Sequence, residues 1–324
     1  MSLLVEHRTP MPPPDPSVRV SIMSPVRDEE AHLAAMLDSV LAQTHAEFEL
    51  LLVDDGSTDR TATIAREYAD RDERVRLLGT GEALGKNAAF NLAYAHSTGD
   101  LLCHLGGDDL MPPDSLAARV RAVGPHVRSR AVGFFKLALL VEASAGPGPS
   151  EASDTAARAE TVVPRGRRGS MSGGSITMTR ALAELVMPLP EHLVSEDIWM
   201  GNAADALAEV RVDATDVVTR YRRHAGNSNP RNKSFAAMDR AIHARMTAYD
   251  ALLSTERFVL PEEYRHRFAA EREAERLRHE GRTLRLLHAD LPPVDRIALA
   301  SMSHPVLWRV RSRLLTPLTG WRGR

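Results

Sequence analysis

The sequence has little of several features that mark particular classes of protein. Its 324 residues contain one cysteine, Cys103, which excludes an intramolecular disulfide and a cysteine-rich zinc site. The net charge is only -2, and the lack of a basic excess argues against binding to nucleic acid. No run of about eighteen uncharged apolar residues occurs, so no membrane-spanning helix is expected. We therefore expect a globular protein whose lone thiol is buried and suits a reducing cytoplasm.

What is present, from Val18 onward, is an alternation of short apolar runs with amphipathic segments. This alternation is typical of βαβ units, and it predicts an α/β fold with a mostly parallel sheet. The predicted strands are VRVSIMSP, FELLLVDD, VRLLG, DLLCHL and AVGFFKLALLVE, and the predicted helices cover 29–43, 61–69, 86–95 and a segment after Pro113.

Two segments lack any apolar periodicity. Residues 1–17, which include PPPDP, are expected to be a flexible leader with no fold. Residues 142–168 are rich in Ala, Ser, Gly and Pro and are expected to form a mobile loop. The α/β domain accordingly extends over 18–230, with this loop inside it.

The C-terminal region, 231–324, has a helical character. Apolar residues at helical spacing predict a first helix, and the charged stretch 262–288 predicts a second long one. The tail, 304–324, contains five arginines and no acid, interleaved with apolar side chains. It fits either an interfacial anchor on anionic lipid or a docked helix with a solvated basic face. Pro305 and Pro317 are expected to shorten any helix there.

Three polar clusters follow predicted strands at the points where those strands end. They are Ser24-Pro25-Val26-Arg27-Asp28-Glu29-Glu30, Asp54-Asp55-Gly56-Ser57-Thr58-Asp59 and Gly106-Gly107-Asp108-Asp109. Each cluster alone fits the residue preferences of turns. Because ligands collect outside the carboxyl ends of parallel strands, the joint placement of all three predicts a binding site.

The order and spacing of these clusters resemble the family 2 glycosyltransferases, with LLVDDGSTDRT as a near-complete match. The resemblance continues through GKNAAFN, STGDLLCHLGGDDLMPPDSL, SED and YRRHAGNS, and it covers about 19–229. It implies a GT-A fold, a Rossmann-like and mostly parallel sheet with flanking helices, to which this chain adds a helical C-terminal extension. It also implies an inverting, metal-dependent transferase that moves a sugar from a nucleotide-diphosphate donor to an acceptor hydroxyl.

The resemblance assigns the nucleotide-binding roles to the first two clusters. Pro25, Arg27 and Glu29 would line the nucleoside pocket, and Asp55 would accept a hydrogen bond from the imide N–H of the base, while Asp54 holds the strand end. A donor of UDP or dTDP type follows from this imide contact. The alternative reading of both aspartates is an Asx-turn that caps the next helix.

The third cluster is the implied metal site. Asp108 is the expected ligand of Mn2+ or Mg2+, hard cations that prefer oxygen donors, and Asp109 is a second candidate ligand of the same ion. His224 would approach either the metal or the diphosphate. The sequence departs from the family pattern at Gly106, where an acid is expected.

Further contacts to the donor are implied for Lys86, Asn91 and Arg222. Phe90 departs from the family pattern, because many relatives carry an arginine before the residue that corresponds to Asn91. Lys86 is a candidate to replace that missing cation.

The pair Glu196 and Asp197 is the implied catalytic centre. The resemblance makes Asp197 the general base that deprotonates the acceptor hydroxyl, and Glu196 the residue that orients the acceptor or the base. Both acids also fit the first turn of a helix that is capped by Ser195. The structural and catalytic readings are compatible with each other.

Several functions stay open alongside hydroxyl glycosylation in polysaccharide, glycolipid or glycoconjugate biosynthesis. A polyprenyl-phosphate sugar transferase uses the same domain with a phosphate acceptor and needs no base. A catalytically inactive nucleotide-sugar-binding module is the alternative that the departures at Gly106 and Phe90 suggest. The expected acceptor is a sugar, a lipid-linked or a small molecule, and the expected location is the cytoplasm, with peripheral contact at the inner face of the membrane as an option for the tail.

Overall fold

A computed structural model describes residues 3–5, 13–79, 81–141, 161–162, 172–223 and 234–319. The chain divides into two compact units. The first contains Met1–His192 and Met200–Asn227, and the second contains Leu193–Trp199 and Ser228–Arg324. His224 and most of the predicted mobile loop lie outside the described residues.

The elements alternate in the first unit and become helical in the second. The strands are β1 Leu3–Val5, β2 Val20–Val26, β3 Phe48–Asp54, β4 Val75–Leu78, β5 Leu101–His104, β6 Ala131–Val141, β7 Thr161–Val162, β8 Ile176–Thr179 and β9 Val210–Arg223. The helices are α1 Leu33–Leu41, α2 Thr61–Ala69, α3 Lys86–Ala95, α4 Ser115–Val123, α5 Arg180–Val186, α6 Glu196–Leu207, α7 Phe235–Ser254, α8 Glu262–His279, α9 Thr283–Leu286, α10 Pro293–Ala300 and α11 Pro305–Thr319.

In the described ranges, all of these strands belong to one sheet with the order β1-β9-β6-β8-β5-β2-β3-β4, and β7 pairs with β6. The pairs among β4, β3, β2 and β5 are parallel, whereas β8 runs antiparallel to both β5 and β6. The predicted mostly parallel α/β fold with flanking helices is therefore confirmed. Because β5, β2 and β3 are parallel neighbours, their carboxyl ends lie at the same edge of the sheet.

The central strands form because they are apolar on both faces. Every residue of β3 is buried, as expected for a parallel strand that helices cover on both sides. Leu33, Met36, Leu37 and Val40 of α1 pack into the same core. Cys103 is buried in β5, as predicted, and burial raises the pKa of its thiol.

Two segments without apolar periodicity each contain a short strand, while the flexibility expected of them stays a prediction. Within the predicted leader, Leu3–Val5 form β1, which pairs in parallel with β9. Within the predicted mobile loop, Thr161–Val162 form β7, which pairs with β6. In both cases the edge of a long strand offers backbone groups that a short neighbouring segment can pair with, and this pairing needs no apolar periodicity in the segment.

Two helix boundaries also differ from the sequence pattern. The helix predicted over 29–43 begins only at Leu33, because the residues before it bond to the loop after β3. The helix predicted over 262–288 ends at His279, and Gly281, with a φ of 70°, turns the chain before α9 begins.

The second unit packs around its own small apolar core. Met238 of α7, Leu277 of α8, Leu286 of α9 and Leu299 of α10 contribute to it, and Trp308 of α11 packs against it. Pro305 is the first residue of α11, a position that proline tolerates. None of the helices in the described ranges is long and apolar enough to cross a membrane.

A buried charge network joins α7 to α8 in this unit. The guanidinium of Arg278 donates to both oxygens of Glu275 at 2.7 and 2.8 Å, and both side chains are fully buried. The same guanidinium lies 2.8 Å from Oδ1 of Asp239 and donates to the carbonyl oxygen of Met302. Buried charges of this kind require such complete pairing.

Candidate active site

The loops after β2 and β3 are tied together by side chains. Asp28 has a φ of 52°, which turns its backbone so that its N–H donates to Ser57 Oγ at 3.0 Å. Its carboxylate accepts from the N–H of Thr58 at 2.7 Å. The N–H of Glu29 donates to Thr61 Oγ1 at 2.7 Å. These contacts bind two of the predicted site loops into one unit.

A second set of bonds extends this connection. Asp59 accepts from the N–H of Glu30 at 3.1 Å and from the N–H of Thr61 at 2.8 Å. Glu30 in return accepts from the N–H of Arg60 at 3.0 Å. The sequence pattern did not indicate these roles, since a turn-forming residue looks the same whether it bonds locally or to another loop.

The nucleoside-pocket residues predicted from β2 lie at its carboxyl end. Pro25 pairs in register with Val53 of β3 and is partly exposed. Arg27 is exposed, and its Nε lies 3.7 Å from Oδ2 of Asp28. An exposed guanidinium at a strand end is available to a ligand, and contact of either residue with a nucleoside stays a prediction.

The two aspartates at the end of β3 have different surroundings. Asp54 Oδ1 accepts from the N–H and the hydroxyl of Ser57, so this residue holds its own turn. Asp55 Oδ1 accepts from the N–H groups of Leu84 at 2.6 Å and Gly85 at 2.8 Å. Asp55 therefore fixes the start of α3, and its side chain is buried at the sheet edge.

Lys86 is the first residue of α3 and is exposed there. The preceding Gly85 has a φ of 90°, a conformation that favours glycine, and its N–H binds Asp55. This arrangement places a lysine at a helix N-terminus beside the predicted base-binding residue. Both features favour an anionic ligand.

Asn91, also on α3, has both ends of its amide engaged with the backbone. Its Nδ2 donates to the carbonyl oxygen of Leu189 at 2.9 Å, and its Oδ1 accepts from the N–H of Leu189 at 2.6 Å. Asn87 bonds similarly to the carbonyl of Pro190. Asn91 thus holds the 189–190 segment, and its predicted contact with the donor stays a prediction. Phe90 is buried and contacts the ring of His104.

The loop after β5 approaches the end of β2 closely. A Cβ atom at Gly107 would lie 2.8 Å from Val26 Cγ1 and 3.0 Å from Glu29 Cγ, so only glycine fits there. A Cβ atom at Gly106 would lie 2.9 Å from Asp108 Oδ1. The glycine that replaces the expected acid therefore leaves the space into which the Asp108 carboxylate turns.

Three carboxyl groups gather around this loop. Burial first, and the neighbouring carboxylate of Asp108 second, raise the pKa of Asp109 well above its usual range, and Glu29 adds to this effect. The N–H of Arg222, which donates to Asp109 Oδ1 at 2.9 Å, acts in the opposite direction. A bound divalent cation relieves such repulsion between clustered acids, so the donor set fits a hard, oxygen-seeking ion.

Arg222 of β9 lies beside the same loop, the one that follows β5. In addition to its backbone contact with Asp109, its Nε donates to the carbonyl oxygen of Asp108 at 2.8 Å. The backbones of Leu110 and Arg220 exchange two hydrogen bonds beside it. The structure thus unites Arg222 with the predicted metal ligands, which lie far from it in sequence.

Binding of a metal ion at Asp108 stays a prediction. Among the residues that the structure describes, no group of three or more His, Cys, Asp or Glu side chains is arranged to hold an ion by itself. Asp108 is partly exposed, and a cation there would complete its shell with phosphate oxygens and water. The third predicted ligand, His224, lies outside the described residues.

The predicted catalytic pair lies in the second compact unit. Glu196 begins α6 and is buried, and Asp197 follows it in the first helical turn. Asp197 Oδ1 accepts from the N–H of Ile198 at 2.9 Å and from the hydroxyl of Ser195. Arg245 of α7 forms an ion pair with the same carboxylate. The sequence pattern missed Arg245, because helical spacing alone does not reveal such a partner.

Comparison with known proteins shows which family part of the first unit resembles. Residues 21–135 match the model of "Glycosyl transferase family 2". The UDP-Glc:alpha-D-GlcNAc-diphosphoundecaprenol beta-1,3-glucosyltransferase WfgD of Escherichia coli is 35% identical over 101 residues, which are 31% of this chain and 39% of that protein.

Two solved structures share the fold at low sequence identity. The mannosyltransferase PcManGT of Pyrobaculum calidifontis, in complex with GDP-Man and Mn2+, superposes with a TM-score of 0.58 at 16% identity and covers 95% of this chain and 79% of its own. TarS 1-349 of S. aureus, in complex with UDP-GlcNAc, superposes with a TM-score of 0.57 at 17% identity, over 89% of this chain and 82% of its own.

The matches to curated relatives are partial. The chain covers between 8% and 42% of the length of eight of them. The matched segment nevertheless contains the first two site clusters and the Gly106–Asp109 loop, and the fold agrees with those of the two solved structures. Residues 21–135 therefore match glycosyltransferase family 2, and the chain as a whole shares the GT-A fold with the two solved structures.

Proposed function

We propose that the protein is an inverting, metal-dependent glycosyltransferase that moves a sugar from a nucleoside diphosphate to an acceptor hydroxyl. The observation that supports this proposal best is the gathering of Glu29, Asp108, Asp109 and Arg222 at the sheet edge where β2 and β5 end. A carboxylate cluster with an arginine beside it suits a cation and a diphosphate together.

In this proposal, the nucleoside end of the donor binds at the connected loops after β2 and β3. Asp55 keeps Oδ1 on the start of α3, and Oδ2 accepts no hydrogen bond from the part of the chain that the structure describes. In the proposal, Oδ2 accepts the imide N–H of uracil or thymine. The bonds between Asp28 and the Ser57-Thr58 turn hold the pocket wall in place before the donor arrives, which lowers the entropy lost on binding.

Asp108, with Asp109, would hold Mn2+ or Mg2+. When bound, such a cation neutralises charge on the diphosphate as it leaves. Lys86 and Arg222 would bind phosphate oxygens from either side, because both are cations next to loops of the site. WfgD is named for UDP-Glc, and the solved structure of PcManGT is a complex with GDP-Man, so we expect this fold to accept different bases.

The transfer step uses one displacement. The acceptor oxygen forms a bond to the anomeric carbon while the bond from that carbon to the diphosphate oxygen breaks, and its electron pair goes to the diphosphate. Asp197 takes the proton of the acceptor hydroxyl, and Glu196 orients the acceptor or the base. Such proton removal contributes about 10²- to 10⁴-fold to the rate. A single displacement inverts the configuration of the sugar.

The test is a panel of nucleotide sugars, with and without Mn2+, that is read by release of free nucleotide. We expect release to require Mn2+ and to fall by about 10²-fold in Asp108→Asn, because the cation contributes several kcal/mol of charge stabilisation. Calorimetric titration of Mn2+ with UDP should show weaker metal binding in the same variant. Asp70→Asn, an exposed acid at the end of α2, is the matched control and should behave like the wild type.

The other outcomes of this panel are informative. Metal-independent release by Asp108→Asn at the wild-type rate contradicts the assigned metal site. Binding of donors without turnover on any acceptor supports an inactive nucleotide-sugar-binding module. Transfer to a polyprenyl phosphate, with no loss in Asp197→Asn, supports the polyprenyl-phosphate sugar transferase.

For the acceptor, we propose a sugar on a lipid carrier or a growing polysaccharide, at the cytoplasmic face of a membrane. The name of WfgD describes transfer to a diphosphoundecaprenol-linked sugar. The buried, unpaired thiol of Cys103 suits a reducing compartment.

The C-terminal helices support peripheral contact with an anionic bilayer. Ile297 of α10 and Val306 and Val310 of α11 expose 64%, 54% and 48% of their surfaces, while Arg309 and Arg313 are exposed among them. Apolar and basic side chains in this mixture suit the headgroup region of a membrane with negative lipids.

Sedimentation with vesicles of phosphatidylglycerol tests this contact. Removing the residues after His304 should weaken binding at least about tenfold, because each arginine near an anionic surface contributes about 1 kcal/mol. The matched variant Val306→Ser with Val310→Ser separates the apolar contribution from the charge. Unchanged sedimentation of the truncated protein, or equal binding to neutral vesicles, contradicts the proposal.

A further inference from the structure

The second compact unit contains an ion pair between Asp197 and Arg245 that no sequence motif indicates. Nη2 of Arg245 lies 3.1 Å from Oδ2 and 3.4 Å from Oδ1 of Asp197. The side chains are 30% and 27% exposed, so the pair is partly shielded from water. The residues are 48 positions apart, and the contact therefore reflects the packing of α7 rather than a local helical pair.

In the part of the chain that the structure describes, three donors hold the carboxylate of Asp197. The N–H of Ile198 and the hydroxyl of Ser195 both donate to Oδ1, which fixes one oxygen on its own helical turn. Arg245 lies nearer to Oδ2 and fixes the rotation of the group. A carboxylate offers about four acceptor positions, so one lone pair of Oδ2 remains for a hydroxyl proton.

We infer that Arg245 is a positioning residue for sugar transfer: its guanidinium holds the Asp197 carboxylate in a single orientation. This inference rests on the proposed function, in which Asp197 is the general base. An arginine suits this role, because its planar guanidinium fixes the geometry of a carboxylate through charge-assisted hydrogen bonds. The helical C-terminal region thus helps to orient the carboxylate of the proposed general base.

The experiment compares Arg245→Met and Arg245→Lys with the wild type. For Arg245→Met we expect kcat to fall about tenfold, because the carboxylate is no longer held in one orientation, with the KM for the donor nearly unchanged. Arg245→Lys keeps the charge without the planar fork and should recover part of kcat. Arg240→Met, an exposed arginine on the same helix, is the matched control.

A double variant separates catalysis from structure. If Arg245 acts through Asp197, adding Arg245→Met to Asp197→Asn should leave the residual rate unchanged, because the group that it orients has lost its function. Should Arg245→Met fail to fold, Arg245→Gln is the second variant: its shorter, uncharged side chain keeps N–H donors but does not span the distance to Asp197, and we expect the same fall in kcat.

Two results overturn the inference. One is an Arg245→Met enzyme whose kcat matches the wild type, whatever its melting temperature, since the ion pair would then have only a structural role. The other is full additivity of the two substitutions. Failure of the proposed function looks different, because Asp197→Asn would then transfer sugar at the wild-type rate, and the role of Arg245 would fall with it.

Discussion

Asp197→Asn is expected to lower kcat by about 10²- to 10⁴-fold while the KM for the nucleotide sugar changes little. Asparagine has nearly the shape of aspartate, and its Oδ1 still accepts from the N–H of Ile198 and from Ser195. It cannot take up the proton of an acceptor hydroxyl at neutral pH. The measurement is the steady-state rate of nucleotide release with acceptor present, together with donor binding by calorimetry.

The control for this variant is Glu191→Gln, which removes an exposed acid six residues earlier. It should retain the wild-type rate and donor affinity. Turnover by Asp197→Asn at the wild-type rate contradicts the assignment of the general base. If Asp197→Asn reached the wild-type rate only at much higher donor concentration, Asp197 would instead be a donor-binding residue. A raised KM with an unchanged kcat means that the lost interaction stabilised the bound substrate and the transition state equally.

Local patterns predicted those elements whose stability is decided within a few residues. The helices α2, Thr61–Ala69, and α3, Lys86–Ala95, have the bounds that the sequence predicts. The buried strands β2 and β3 were also predictable, because continuous apolar runs of this length suit the middle of a parallel sheet. Their order in the sheet agrees with the rule that consecutive βαβ units lie side by side.

Features that depend on distant partners were not predictable in this way. The start of α1 moves to Leu33 because Thr61 and Asp59 accept the N–H groups of Glu29 and Glu30, about thirty residues away in sequence. The pairing of β1 with β9 also depends on a partner that is distant in sequence, because any extended segment can pair with an open strand edge.

In the candidate site, too, local patterns were predictable and contacts between distant residues were not. The strand-end clusters were recognisable because each acid lies in a short, characteristic run of residues. The geometry added the reason for the unusual Gly106, which leaves space for the Asp108 carboxylate. It also added Arg222 beside Asp108 and Arg245 beside Asp197, two cations whose partners are far away in sequence.

Arg278→Met is expected to lower the free energy of unfolding by about 3–5 kcal/mol, the usual cost of breaking a buried ion pair on one side. Methionine fills most of the volume of the arginine stem, so the loss comes mainly from charge. It leaves the Glu275 carboxylate buried without the two N–H donors that lie 2.7 and 2.8 Å away. The measurement is urea unfolding followed by circular dichroism at constant pH.

Two matched variants identify the cause of that loss. Arg276→Met removes an arginine of the same helix that is 49% exposed and pairs with Glu273 and Glu280, and it should cost less than about 1 kcal/mol. Combining Arg278→Met with Glu275→Leu should recover most of the stability, because the fully buried carboxylate of Glu275 is then no longer left without its partner. A double variant as unstable as Arg278→Met alone would mean that packing, rather than the unpaired carboxylate, determines the loss. Equal stability of the two arginine variants would mean that the buried network contributes no more than a surface ion pair.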